Sequence, residues 1–214
     1  MKVLAIESSC DDTSFSIVSD EKSIDFLETI NHRKFHKKHG GVIPEMAARQ
    51  HLDIMDHLHK SAQKIDFKKI DAIAAAFGPG LIGGLIVGSS FAKGLSLAKQ
   101  KKLVPINHLQ AHLLSPRLTS DLSFPYLCLL VSGGNTALVL VKSPKKFITL
   151  GSTIDDSAGE CFDKVAKALG LSYPGGPVIE KYAFKGDVYK YKLPMPLAKV
   201  KNCDFSFSGL KTAA

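Results

Sequence analysis

A chain of 214 residues, 45% hydrophobic and 22% charged, is long enough to bury a sizeable core as one domain or two small lobes, and nothing in it is low in complexity. The net charge of +8 points to an anionic partner, nucleic acid first, unless it serves solubility alone. The apolar runs at 3–6 and 81–87 are short, the first ended by Glu7 and the second broken by Gly83 and Gly84. They exclude a secretory signal and argue against a membrane span. Cys10, Cys128, Cys161 and Cys203 show no C-x-x-C spacing, which predicts free thiols in a reducing cytoplasm.

Residues 2–7 read as a first strand, 8–12 as a polar turn, 13–18 as a second, alternating strand and 23–30 as a third. Arg33, Lys34, Lys37 and Lys38 follow, interleaved with His32, His36 and His39 in a polar, loop-like stretch. Pro44 suits the first turn of a helix to about 64, with Met46, Leu52, Met55 and Leu58 on its apolar side. Residues 71–77 are a short apolar strand. Gly78-Pro79-Gly80 then turns the chain into a small-residue helix to about 99, and 103–106 is the next strand. Three strands followed by alternating helices and strands fit a ribonuclease-H-like α/β lobe.

His108 and His112 open the following helix four residues apart, on one face and one turn above the other. Two imidazoles so placed either bind one metal ion or simply cap and pack.

The next stretch repeats the first after 123 positions. Residues 3–6, Ser9 and 13–18 recur as 126–129, Ser132 and 136–141. Both copies read strand, turn, strand; 146–150 parallels the third strand, and 156–169 reads as an amphipathic helix. We therefore expect two domains, 1–118 and 119–214, the second a partial copy of the first. Two such hairpin turns facing each other across a cleft would suit a phosphate-bearing ligand. The backbone of Ser132-Gly133-Gly134 could approach an anion closely, although an ordinary tight hairpin reads the same way. A loop (173–177), a short helix near 178–184 and a second basic group (Lys185, Lys190, Lys192, Lys199, Lys201) follow. Ser206 or Ser208 could cap a last helix, about one turn before the sequence ends. The second lobe thus reads as incomplete and the chain as C-terminally truncated. Basic groups of this kind are either solvated surface or nucleic-acid sites.

The segments Ile6-Glu7-Ser8-Ser9-Cys10-Asp11-Asp12-Thr13, Gly40-Gly41-Val42-Ile43-Pro44-Glu45 and Gly78-Pro79-Gly80-Leu81 resemble one family, as do Asn107-His108 through His112 and Val131-Ser132-Gly133-Gly134. Asp155-Asp156, Gly159-Glu160, Phe162-Asp163-Lys164, Tyr173-Pro174-Gly175-Gly176-Pro177 and the run from Phe205 to Thr212 continue the match in family order. The family is TsaD, of tRNA threonylcarbamoyladenosine biosynthesis. The resemblance implies two ribonuclease-H-like lobes of the sugar kinase, heat-shock protein and actin (ASKHA) type. It implies transfer of threonylcarbamoyl from threonylcarbamoyl-AMP to N6 of the adenosine 3′ of the anticodon, in tRNAs reading codons that begin with A. It makes His108 and His112 ligands of a divalent metal, iron(II) or zinc, and sets Leu130, Val131, Ser132, Gly133, Gly134, Asp163 and Gly176 against the adenylate. Asp11, on the first hairpin, takes a supporting catalytic role. The implied partners are tRNA, a TsaB-like paralogue and a TsaE-like ATPase in the cytoplasm, with no membrane.

Two departures stand out. Asn135 replaces the histidine that commonly follows S-G-G in the family, and the family's remaining ligand, an aspartate, has no counterpart within 1–214. The alternative is a non-catalytic binding module of the same modification complex. A zinc peptidase is disfavoured, because Leu109 stands where H-E-x-x-H requires glutamate. An actin-like small-molecule kinase leaves the paired histidines without a role.

Overall fold

The computed structural model describes residues 1–20, 22–32, 36, 41–62 and 65–214. The chain divides into two compact units, Met1–His112 and Leu113–Ala214. The division falls earlier than the expected 118/119, because buried Leu113 already packs with Val139 and Val141 of the second unit.

In the first unit, strands β1 (Lys2–Glu7), β2 (Asp12–Ser19) and β3 (Ile24–Asn31) form an antiparallel meander. Helix α1 (Pro44–Ala62) leads to β4 (Ala72–Gly78), helix α2 (Ile82–Lys99) and β5 (Lys102–Asn107). The sheet order is β3-β2-β1-β4-β5, with β4 parallel to β1 and β5 parallel to β4. This is the ribonuclease-H-like order that the alternation of elements predicted. Each βαβ crossover needs a helix to return the chain to the same end of the sheet.

The core of this unit is Leu4, Ile6, Phe15, Ile17, Met55 and Ile73, all nearly inaccessible to solvent. Residues 72–76 of β4 are buried without alternation, as in a strand covered on both faces. Helix α2 lies close to the first hairpin because it carries glycines there. A Cβ on Gly84 would stand 2.3 Å from the Ser8 carbonyl oxygen, and one on Gly88 would collide with Ser8 Oγ. The Ser8 hydroxyl donates to the Gly84 carbonyl at 2.9 Å.

Helix α1 corrects one expectation. Its buried stripe is Ala47, His51 and Met55, spaced four apart, whereas Leu52 is 63% exposed. Ranking by hydrophobicity missed this because a hydrogen-bonded histidine fills the core position. The side chain of Leu58, Lys64 and the basic residues Arg33, Lys34, Lys37, Lys38 and His39 lie outside the described residues.

In the second unit, after helices α3 (His108–Leu114, whose last two residues belong here) and α4 (Pro116–Thr119), strands β6 (Tyr126–Val131), β7 (Thr136–Ser143) and β8 (Lys146–Ser152) form a second antiparallel meander. Its register repeats that of the first. Val3 faces Val18 and Ile6 faces Phe15 in β1–β2; 123 residues later Tyr126 faces Val141 and Leu129 faces Leu138. Helices α5 (Ala158–Ala168), α6 (Gly175–Ala183) and α7 (Ser208–Ala213) follow.

Ser157 caps α5 by accepting from the Glu160 N–H at 3.1 Å. Helix α6 begins three residues before the expected 178, since proline is tolerated in a first turn and Pro177 therefore lies inside the helix. Helix α7 is capped differently from expectation: neither serine caps it. Asp155 accepts from the Phe207 N–H at 2.7 Å, the Ser208 N–H at 3.3 Å and the Ser206 hydroxyl at 2.5 Å. Phe205 joins the sheet margin by a parallel bridge to Thr153. The four cysteines are free, as expected. Among the described residues no helix is long and apolar enough to cross a membrane.

Candidate functional site

The first unit gathers its polar side chains at one end of the sheet. Strands β1, β4 and β5 are parallel, so their carboxyl ends share an edge, the usual position of a ligand site in a parallel sheet. Glu7 ends β1, and His108 follows Asn107 at the end of β5. The Asn107 side chain accepts from the Gln110 N–H at 3.0 Å and so starts helix α3.

Helical spacing then turns His112 onto His108. Their Nε2 atoms lie 3.1 Å apart, with the rings edge to face and 4.4 Å between centroids. On the other side of the His108 ring, Nδ1 is 3.0 Å from Ser9 Oγ and 3.2 Å from Glu7 Oε2. Glu7 Oε1 accepts from the Ser9 N–H at 2.6 Å. Burial by itself would raise the Glu7 pKa, but the hydrogen bonds from His108 and Ser9 outweigh it and hold the carboxyl below its ordinary range.

The donor set fits a metal. Two ligands on one tetrahedral ion, each about 2.0–2.1 Å from it, stand roughly 3.3 Å apart, close to the separation of the two Nε2 atoms. Among the described residues no third histidine, cysteine or carboxylate joins the pair as a ligand cluster.

Asp11 sits on the turn between β1 and β2, and its backbone carbonyl accepts from the His32 N–H at 3.0 Å. Behind the turn lies a buried cluster, of which the sequence reading puts His32 and His36 in a polar loop and His51 in the following helix. His32, His36 and His51 are each 0% exposed. Thr13 Oγ1 joins His32 Nε2 at 2.9 Å to His51 Nδ1 at 2.8 Å, and His51 Nε2 meets the Cys10 carbonyl at 3.0 Å. A carbonyl only accepts, so His51 carries its proton on Nε2. Its Nδ1 then accepts from the Thr13 hydroxyl, whose oxygen accepts from His32 Nε2–H. A histidine in line with the apolar stripe of an amphipathic helix is the sequence signal that could have found it: His51 stands four residues after Ala47 and four before Met55 on the core stripe.

In the second unit, Ser132, Gly133 and Gly134 form the β6–β7 turn. The Ser132 N–H donates to the Asn135 carbonyl at 2.8 Å, and the Asn135 N–H to Ser132 Oγ at 3.0 Å. The Ser132 N–H is thus used inside the turn, contrary to the expectation that it would approach an anion. The start of α5 braces this turn. Ser157 Oγ donates to the Gly133 carbonyl at 2.7 Å, and the Gly159 N–H to the Ser132 carbonyl at 3.2 Å. A Cβ on Gly159 would stand 2.5 Å from that oxygen, so glycine permits the approach.

Leu130 and Val131 lead into the turn from β6, with Val131 53% exposed. Asp163 accepts from the Gly175 N–H at 2.6 Å and so anchors the loop before Gly176. Asn135, the departure from the usual family residue, keeps the turn closed through its backbone.

Known proteins resemble this chain along most of its length. The TsaD family, described as tRNA N6-adenosine threonylcarbamoyltransferase, matches residues 26–214. The tRNA N6-adenosine threonylcarbamoyltransferase of Wolbachia pipientis wMel is 50% identical over 214 residues, 99% of this chain and 64% of the relative. That of Rickettsia prowazekii (strain Madrid E) is 52% identical over 215 residues, 99% of this chain and 56% of the relative. The chain therefore spans somewhat less than two thirds of the length of these relatives. A ROK family protein from Streptococcus pneumoniae TIGR4 superposes with a TM-score of 0.55 at 15% identity, over 88% of this chain and 69% of that one. That likeness is one of fold, the ASKHA type built from ribonuclease-H-like lobes. The repeated hairpin, the paired histidines and half-identity to curated relatives along nearly all its length agree: the chain belongs to the TsaD family.

Proposed function

We propose that the chain carries out threonylcarbamoyl transfer to tRNA. The donor is threonylcarbamoyl-AMP, and the acceptor is N6 of the adenosine 3′ of the anticodon in tRNAs reading codons that begin with A. The observation that carries this reading is the 3.1 Å convergence of His108 and His112 Nε2 within a TsaD-family chain.

The chemistry asks little of protein nucleophiles. Adenine N6 attacks the carbamoyl carbon, the N–C bond forms, and the C–O bond to the adenylate phosphate breaks. AMP leaves with the electron pair, and N6 loses a proton. The donor is already an activated mixed anhydride, so positioning and charge stabilisation supply most of the acceleration.

His108 and His112 would hold a divalent metal, iron(II) before zinc, which when bound supplies a Lewis acid for the carbonyl or the threonyl group. Leu130, Val131, Ser132, Gly133 and Gly134 would lie along the adenylate. Asp163 would act by fixing the start of α6, where Gly176 would approach the adenylate, and Asp11 would help position the substrate from the first hairpin. Exposed Lys185, Lys190, Lys192, Lys199 and Lys201 are suited to the tRNA backbone, as are the basic residues of 33–38. A TsaB-like paralogue and a TsaE-like ATPase would assist, in the cytoplasm.

The test is threonylcarbamoyl transfer to unmodified tRNA by this chain with those partners, threonylcarbamoyl-AMP and iron(II). The modified nucleoside is read by mass spectrometry. Product from the wild type and none from His108→Ala supports the proposal. No product, under conditions where the Wolbachia relative forms it, refutes the catalytic reading and leaves a binding module.

A further inference from the structure

The metal-facing nitrogens are only half of the paired-histidine geometry. Glu7 and Ser9 meet His108 at Nδ1, the ring nitrogen turned away from His112. From these contacts we infer that Glu7 is a positioning residue of the metal centre: it holds the His108 proton on Nδ1 and thereby turns a free Nε2 lone pair toward His112. The inference rests on the metal-site reading above and adds to it a residue that is itself no ligand.

The geometry excludes the simpler role. A ligand carboxylate would stand beside the two Nε2 atoms, but the Glu7 contact is with the opposite nitrogen. An ionised carboxylate has only acceptor oxygens, so the 3.2 Å contact is a hydrogen bond only with hydrogen on Nδ1, the tautomer it favours. A neutral imidazole protonated there has its other nitrogen free to bind metal. A carboxylate behind a metal-bound imidazole also raises the ligand's basicity and fixes its ring plane.

The support for Glu7 is built into the fold. It is the last residue of β1, which is paired on both sides, by β2 and by β4. Its second oxygen is held by the Ser9 N–H, and Ser9 is 0% exposed. The Leu81 N–H donates to the Ser9 carbonyl at 2.7 Å and ties this turn to the start of α2. The carboxylate and the imidazole therefore arrive from the carboxyl ends of β1 and β5, held in place by β4 between them.

The experiment measures cobalt(II) binding by visible absorption titration, and the His108 tautomer by imidazole nitrogen chemical shifts in the metal-free protein. Wild type, Glu7→Gln and Glu7→Ala are compared, with thermal melts to confirm folding. Glu7→Ala is expected to weaken cobalt binding by about 10- to 100-fold and to give a tautomer mixture. Glu7→Gln keeps a carbonyl acceptor for Nδ1–H, so it is expected to retain the wild-type tautomer with a smaller loss of affinity. If Glu7→Ala should not fold, the tautomer and affinity of Glu7→Gln decide. Equal cobalt affinity and an unchanged tautomer in folded Glu7→Ala overturn the role of Glu7 alone, as does a Glu7→Gln that loses the Nδ1 proton. A wild type that binds no cobalt overturns the metal site and this role together.

Discussion

Acid should unlock the first unit through its buried histidines before its carboxylates respond. The chain of bonds from the Cys10 carbonyl through His51 and Thr13 to His32 is complete with both rings neutral. It leaves His32 Nδ1 as a buried lone pair with no hydrogen-bond partner among the described residues. A second proton on His32 would sit there without an acceptor, beside His51 and His36. Burial, with those two neighbours, lowers the His32 pKa from 6.5 to about 4, and burial lowers that of His51 as well.

The unfolded chain takes up the His32 proton near 6.5 and the folded one only near 4. Stability is therefore intact above the unfolded value and declines as pH falls between them. From these two values, His32 alone removes about 2 kcal/mol between pH 8 and pH 5, approaching about 3 kcal/mol near pH 4. Glu7, Asp25, Asp155 and Asp156 all have lowered pKa values, so their contributions are lost only at lower pH, as each is protonated through its folded value.

Urea unfolding midpoints from pH 8 to pH 5 read the histidine window. The wild type should lose stability there, and His32→Gln, whose amide can still meet Thr13, should lose about 2 kcal/mol less across the same range. Parallel losses in the two proteins would refute the assignment to His32.

Three further outcomes follow from the packing. Gly84→Ala places a methyl 2.3 Å from the Ser8 carbonyl oxygen and 2.8 Å from His51 Nε2, and should destabilise the first unit by about 1–3 kcal/mol in urea unfolding; an unchanged midpoint would contradict the close approach. Asp155→Ala removes the acceptor for two N–H groups at the start of α7 and should destabilise that turn by about 1 kcal/mol, so that amide exchange over 205–213 accelerates about fivefold while the first unit is unaffected. Ser157→Ala removes the donor to the Gly133 carbonyl and should weaken binding of a non-hydrolysable adenylate by about fivefold, equivalent to about 1 kcal/mol, with no change in cobalt affinity; equal adenylate binding would detach the turn from the substrate.

The two hairpins were legible because side-chain alternation and an offset of 123 residues survive in the sequence, and pairing register follows from them. His108 and His112 were legible because helical spacing alone brings i and i+4 to one face. The stripe on α1 was misread at Leu52 because hydrophobicity ranks leucine above histidine, whereas Thr13 makes His51 the better core residue. The cap of α7 was misread because its acceptor, Asp155, lies about fifty residues away in sequence, beyond any local capping rule.

By itself the sequence determined what depends on short-range periodicity: the elements, their order, the repeated hairpin and the facing of the two histidines. Tertiary structure alone decided which polar groups meet. It brought Glu7 to His108 Nδ1 across 101 residues and enclosed His32 and His51 around Thr13, with the buried His36 ring beside His32. Periodicity places a residue on a face, but a hydrogen bond needs its partner within about 3 Å. The parallel pairing of β1, β4 and β5 brings Glu7 and His108 to that separation, and the packing of α1 beside the β2–β3 hairpin does so for the buried histidines.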